Sequence, residues 1–210
     1  MNTLKQRIID ISYKKKLSHI GSCLTAVDII DRVYADKKPN EPFILSSGHA
    51  GLALYVVIEK YLGIDAEMLF DTYGVHPNRN LKHDIYCSTG SLGHGIGIAT
   101  GMAISDRSRK VHVLLSDGEC AEGSVFESFN VIQQNKISNM VIHINYNSWG
   151  AYRKIMMKSI IPLTTIIEST CDVKIHKTDS PGFLFLSGLK AHYAVLSDGE
   201  YNQLKKTYET

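Results

Sequence analysis

The chain has little that would mark it for a membrane, an oxidising compartment or a nucleic acid. No apolar run approaches the ~20 residues a spanning helix needs, and the first residues lack the basic-then-apolar pattern of a signal peptide. Only four cysteines occur, Cys23, Cys87, Cys120 and Cys171. They are scattered and form no CxxC pair. That excludes a zinc ribbon and a disulfide scaffold and points to a reducing cytoplasm. A formal net charge of +2 over 210 residues gives no support for a nucleic-acid or membrane-surface partner. The one basic run, Lys14 to Lys16, reads as a solvated helix face. Neither an internal repeat nor a low-complexity segment is present.

What remains is an ordinary globular composition, 44% hydrophobic and 21% charged, sized for a single domain over 1–210. The first third reads as helical. Leu4, Ile8 and Ile11 follow helical spacing, and Thr25 with Asp28 resembles a capping box ahead of Ala26, Ile29, Ile30 and Val33. A loop over 36–42 leads to a short strand at 43–45 and a helix over 49–61. Val111–Leu115 is a nearly unbroken apolar run, as a buried parallel strand requires. A helix with Val125, Phe129 and Ile132 on one face follows, then a strand at 140–144. This strand–helix–strand unit crosses over right-handedly into a parallel sheet. The last third reads as a helix over 155–168 interrupted by Pro162, strands at 173–175 and 183–186, and a helix from 197. The sum is a three-layer α/β/α domain with a parallel sheet.

Such sheets place ligands beyond the carboxyl ends of their strands. Asp117 and Asn147, 30 residues apart, both fall there. A carboxylate, an amide oxygen and a backbone carbonyl offer a hard cation three oxygens; phosphate and water complete magnesium's octahedron. Gly118 allows close approach by a ligand, and a helix starting near Gly123 points its positive end at an anion. The same two residues are also ordinary turn formers after strands. Gly93-His94-Gly95 begins a dinucleotide-type glycine pattern, but Ile98 stands at the third glycine's place and no strand precedes it. The Rossmann reading fails.

Ser116-Asp117-Gly118-Glu119, continuing through Glu122-Gly123 to Asn145-Tyr146-Asn147, resembles the thiamine-diphosphate motif of the transketolase family. Ser116 replaces that motif's first glycine. Four further segments match the family in order: Ser18-His19-Ile20-Gly21 with Ala26 to Ile29; Leu45 to Ala50; His76-Pro77 with Ser88-Thr89-Gly90-Ser91-Leu92-Gly93; and Ala191-His192-Tyr193 with Ser197 to Tyr201. Five motifs in order cover nearly the whole chain. The resemblance implies a thiamine-diphosphate-binding fold. It implies that Asp117, Asn147 and the Trp149 carbonyl hold Mg²⁺ (or Ca²⁺ or Mn²⁺). The cofactor would lie against Ser116, Gly118, Glu119, Gly90, Ser91 and Leu92. It also implies that His19, His49, His76 and His192 line the reactive end and the sugar channel, where imidazole suits proton transfer. His94 stands where the family has glutamine. His83, His112, His143 and His176 read as structural.

Glu122 matches a family glutamate at the contact between two active sites; equally, it is an ordinary acid in a helix's first turn. The glutamate that activates the cofactor lies, in the family, in a second domain absent from this sequence. The resemblance therefore implies a split enzyme. A separate C-terminal subunit would supply that glutamate and grip the sugar or sugar phosphate, in a hetero-oligomer with two of each chain. The expected activity is transfer of a two-carbon ketol unit between sugars. The alternatives are a thiamine-diphosphate reaction on 2-oxo acids and an inactive scaffold subunit. The stretch 149–182 is short for the family, and Ser187-Gly188-Leu189-Lys190 replaces a longer loop, which puts the standard pentose-phosphate substrates in doubt.

Overall fold

The computed structural model describes residues 3–150, 153–179 and 182–209. Its opening helices, α1 (Thr3–Lys15) and α2 (Ile20–Asp36), bury the apolar stripes that the spacing demands. Helix α2 starts five residues before the expected cap. Ile20, Cys23 and Leu24 are buried and carry its apolar face past Thr25, so burial overrides the local capping signal. Thr25 is instead interior, donating to the Ser22 carbonyl at 3.2 Å.

Strand β1 (Phe43–Leu45) runs through one 3₁₀ turn at Gly48–Ala50 into α3 (Gly51–Leu62). Helix α3 is buried continuously from Gly51 to Ile58, and Gly63 ends it in the left-handed conformation at φ 70°. The Asp65 carboxylate caps α4 (Ala66–Tyr73) by accepting the Met68 N–H at 2.7 Å. Lys14 and Lys15 are not merely solvated: both pair with Glu67 on α4, and Lys15 also with Asp71.

The remaining elements are α5 (His94–Ser105), β2 (Val111–Ser116), α6 (Gly123–Gln134), β3 (Met140–Tyr146), α7 (Met157–Thr165), β4 (Asp172–Lys177) and α8 (Asp198–Glu209). Helix α7 keeps Pro162 inside but is shorter than expected. Ile155 still belongs to the preceding turn, its N–H donating to the Ser148 carbonyl. The expected strand at 183–186 is a 3₁₀ turn, Leu184–Leu186. Its hydrogen bonds close locally: the Leu186 N–H and the Ser187 hydroxyl both donate to the Phe183 carbonyl, so no neighbouring strand is needed.

The sheet runs β1-β2-β3-β4, every pair parallel. One face packs Phe43, Leu45 and Leu114 against α1–α4 and α8. The other packs Ile44, Val113, Leu115, Ile142 and Ile144 against α5–α7. Strands β2 and β3 are covered on both faces, which is why they read as continuous apolar runs. Among the described residues, no helix is long and apolar enough to cross a membrane.

Candidate active site

Because the strands are parallel, the loops after β1, β2 and β3 leave from one edge of the sheet. They bring Ser47, His49, Ser116, Asn147 and Gly150 around a cleft of 230 Å³, with Asp117 buried next in sequence to Ser116. His19, His49, His76 and His192 line this cleft with Asn147 and Trp149. A smaller cavity of 50 Å³ continues from it between His19 and Leu186.

Three histidine rings form a cluster. His19 lies 4.4 Å from His192 and 5.7 Å from His49, and His49 lies 5.8 Å from His192, centroid to centroid. His19 sits just before α2 in the left-handed region, at φ 62°. A bulky residue adopts that conformation only under constraint. Two contacts supply it: its N–H donates to the His192 carbonyl at 3.2 Å, and its Nδ1 lies 2.9 Å from the Ser18 hydroxyl. Burial, then the neighbouring rings, pushes the His19 pKa down to about 4 and that of His49 to about 3. His192 is lowered by burial. The cluster is therefore neutral at physiological pH, each ring offering one donor and one acceptor. His76 stands exposed at the mouth, its ring 3.4 Å from where a Cβ on Gly90 would lie.

Asp117 is 1% exposed, and no ion pair is found for it among the described residues. Burial raises its pKa to about 6 against the pull of backbone donors. Its oxygens accept the Ser148 N–H at 2.7 Å and the Gly118 N–H at 2.9 Å. The Asn147 side-chain oxygen accepts the Trp149 N–H at 2.9 Å. A Cβ on Gly118 would fall 3.4 Å from the Gly150 Cα, so the loops after β2 and β3 touch here. A buried carboxylate without a cationic partner, beside an amide oxygen at a cleft, fits a hard divalent cation. Among the described residues, no group of three or more His, Cys, Asp or Glu could hold a metal. A set of one carboxylate, one amide and one carbonyl contains only one such residue.

The other expected site residues separate into two groups. Gly90, Leu92 and Ser116 line the cleft. Ser91, Asp117, Gly118, Glu119 and Glu122 do not: Ser91 and Glu122 are exposed, Asp117 is buried beside Gly118, and Glu119 is wholly buried behind the loop. Ser22, Ser47, Ala50, Asn145, Gly150 and Tyr193 also line the cleft and were not among the expected site residues. Ser22, one turn into α2 from His19, lines both cavities. Asn145 also lines the cleft; its amide donates to Thr25 at 3.0 Å, and its oxygen accepts from Thr178 at 2.6 Å. A polar residue ending an otherwise apolar strand was the available signal for Asn145.

Residues 1–176 match the family described as 1-deoxy-D-xylulose-5-phosphate synthase, N-terminal part. Over 164 residues the chain is 34% identical to one of the named subunits of apulose-4-phosphate transketolase from Phocaeicola vulgatus, covering 68% of this chain and 58% of that protein. Human transketolase is 32% identical over 171 residues, 71% of this chain and 27% of the relative. The solved transketolase of Campylobacter jejuni shares the fold, with a TM-score of 0.79 at 19% identity over 99% of this chain and 42% of that one. The chain thus spans little more than half of the first relative and about a quarter of the second. By the extent of the matched region, the chain belongs to the family of the N-terminal domain of 1-deoxy-D-xylulose-5-phosphate synthase and transketolase.

Proposed function

We propose that this chain is the cofactor-side subunit of a split transketolase-like transferase. It holds thiamine diphosphate and Mg²⁺, and with a separate C-terminal subunit it moves a two-carbon ketol unit between sugars. The observation that carries this reading is that Asn147 lines one cleft with the His19–His49–His192 cluster, while the buried Asp117 accepts from Ser148 in the same loop as Asn147. Bound there, the cofactor would supply a nucleophilic carbon that accepts and passes on the two-carbon unit. Asp117, Asn147 and the Trp149 carbonyl would hold the cation and, through it, the diphosphate. Gly90, Leu92 and Ser116 would lie along the cofactor's length. His19, His49, His76 and His192, neutral or exposed, would hydrogen-bond sugar hydroxyls and carry protons at their ring nitrogens.

The name of the Phocaeicola relative supports the partner, because it describes one subunit of a transketolase rather than a whole one. So does an apolar face outside the cleft. Ile98, Ile104 and Val131 on α5 and α6 are exposed around a groove of 560 Å³ that reaches Gly93, and Glu122 stands exposed at the start of α6. That face suits the contact between two half-assemblies in a complex with two of each chain. Four free cysteines support a reducing cytoplasm as its location. The test is capture of the tagged chain's partner from its native lysate, then assay of the pair with ketose donors and with 2-oxo acids. Ketol transfer by the pair and by neither chain alone is expected. Turnover of 2-oxo acids only would move the activity to another thiamine-diphosphate reaction, and ketose turnover by the lone chain would sink the split.

A further inference from the structure

Glu119 is 0% exposed, and its carboxylate is fully engaged by protein donors. One oxygen accepts from the Ser46 hydroxyl at 2.7 Å and from the Gly93 N–H at 2.9 Å. The other accepts the Ser116 N–H at 3.0 Å, with the Ser116 hydroxyl at 3.5 Å. These donors belong to three segments far apart in sequence: the loop after β1, the turn before α5, and the end of β2. Each segment carries part of the cleft, namely Ser47 and His49, Gly90 and Leu92, and Ser116.

The three segments also touch as bare backbone. A Cβ on Gly95 would stand 2.6 Å from the Ser46 Cα, and one on Gly48 would stand 2.7 Å from the Thr89 carbonyl carbon. No side chain other than a short acceptor could bridge so tight a junction. A buried carboxylate is costly to desolvate, and an apolar residue in its place would leave the Gly93 and Ser116 N–H groups and the Ser46 hydroxyl without their acceptor. With every strong acceptor direction filled, Glu119 has nothing left to offer a ligand.

We propose that Glu119 is a positioning residue. It is the side chain that ties the β1, α5 and β2 ends of the cleft together, so that His49, Leu92 and Ser116 line one cleft. The role rests on the functional reading above, but the coupling of the three segments is a property of the chain itself. The test is amide hydrogen exchange, read by mass spectrometry, on the full-length chain and its Glu119→Gln and Ser46→Ala variants. The glutamine keeps the length but turns one acceptor into a donor facing an N–H. Exchange should quicken together in segments 46–50, 88–93 and 116–122, by about tenfold or more, the effect of a lost charge-assisted bond. Helices α1 and α3 should keep their protection. Binding of thiamine diphosphate with Mg²⁺, followed by fluorescence of Trp149, the sole tryptophan, should weaken in the same variants while they remain folded.

A response confined to the substituted segment, or spread evenly over the chain, would overturn the proposal. So would unchanged cofactor affinity in a variant whose melting temperature alone has dropped. Should Glu119→Gln fail to fold, Ser46→Ala decides. It removes one donor to Glu119 but keeps the Ser46 backbone that packs against Gly95, so a loosened 88–93 turn reports the lost hydrogen bond. If the wild-type chain binds no thiamine diphosphate, the functional reading fails, whereas the linked exchange still tests the tie.

Discussion

Asp117 shows how a single residue can be at odds with its own fold. Burial holds its carboxyl far above the ordinary range, and only backbone N–H groups oppose that. The free chain therefore carries an anion that a cation would relieve. Mg²⁺ with thiamine diphosphate should stabilise it by about 2.7 kcal/mol at a hundredfold excess over Kd. For a chain of this size that is a rise in melting temperature of roughly 5–10 °C. Asp117→Ala should abolish the rise, checked by differential scanning fluorimetry with and without each ligand. If the variant still responds in full, Asp117 does not hold the cation. The position of Asp117 was legible in sequence because a strand's end is marked by the break in its apolar run. The roles of Glu119 and Asn145 were not, because each depends on partners such as Ser46 and Thr25, which only the folded chain brings near.

At the level of elements, β2, β3 and β4 place His112, His143 and His176 in a diagonal ladder. Ring centroids are 5.9 Å apart between the first two and 5.2 Å between the last two. His143 Nδ1 lies 3.0 Å from His176 Nε2, and His112 Nε2 lies 3.3 Å from Glu41. Burial, then His176, pushes His143 down to about 3. Burial lowers His112 despite Glu41, and lowers His176 with help from Arg32 and Lys174. A histidine with a depressed folded pKa stays neutral in the fold while the unfolded chain takes up its proton. Its contribution is fully present above pH ~6.5 and is lost as pH falls towards the folded value. His143 alone then withdraws about 2 kcal/mol by pH 5. Asp117, with a raised pKa, works the other way between roughly pH 4 and 6 and offsets part of this. The melting temperature should fall between pH 7 and pH 5, and His143→Phe should flatten that slope. An equal slope in the variant would remove the ladder from the explanation. The strands themselves were legible because burial on both faces writes an unbroken apolar run, as in 111–115. Residues 183–186 carry a similar run, Phe-Leu-Phe-Leu, but pack it as a turn with Leu184 93% exposed and Leu186 buried. Composition cannot distinguish a strand from a turn when no neighbouring strand is there to accept its hydrogen bonds.

For the whole molecule, the question is what covers the α5–α6 face. The chain spans 58% of the Phocaeicola relative and 27% of human transketolase, so the remaining surface of any complete enzyme must come from elsewhere. The cleft opens on one side of the domain. The exposed Ile98, Ile104 and Val131 lie around Gly97 and Gly101, small residues that let a second backbone approach. Ile98 lines the α5–α6 groove and is 42% exposed, so replacing it should leave the fold intact to within about 0.5 kcal/mol. A charge buried at a two-fold contact, by contrast, meets its own copy and is repelled. In the assembly proposed above, Ile98→Glu should therefore preserve the melting temperature and the capture of the proposed C-terminal subunit, yet halve the mass from two of each chain to one of each. Multi-angle light scattering on the co-purified pair reads this directly. A mass unchanged by the substitution would place the contact between half-assemblies on another face. Loss of the C-terminal subunit itself would mean that this face binds the partner rather than the second copy.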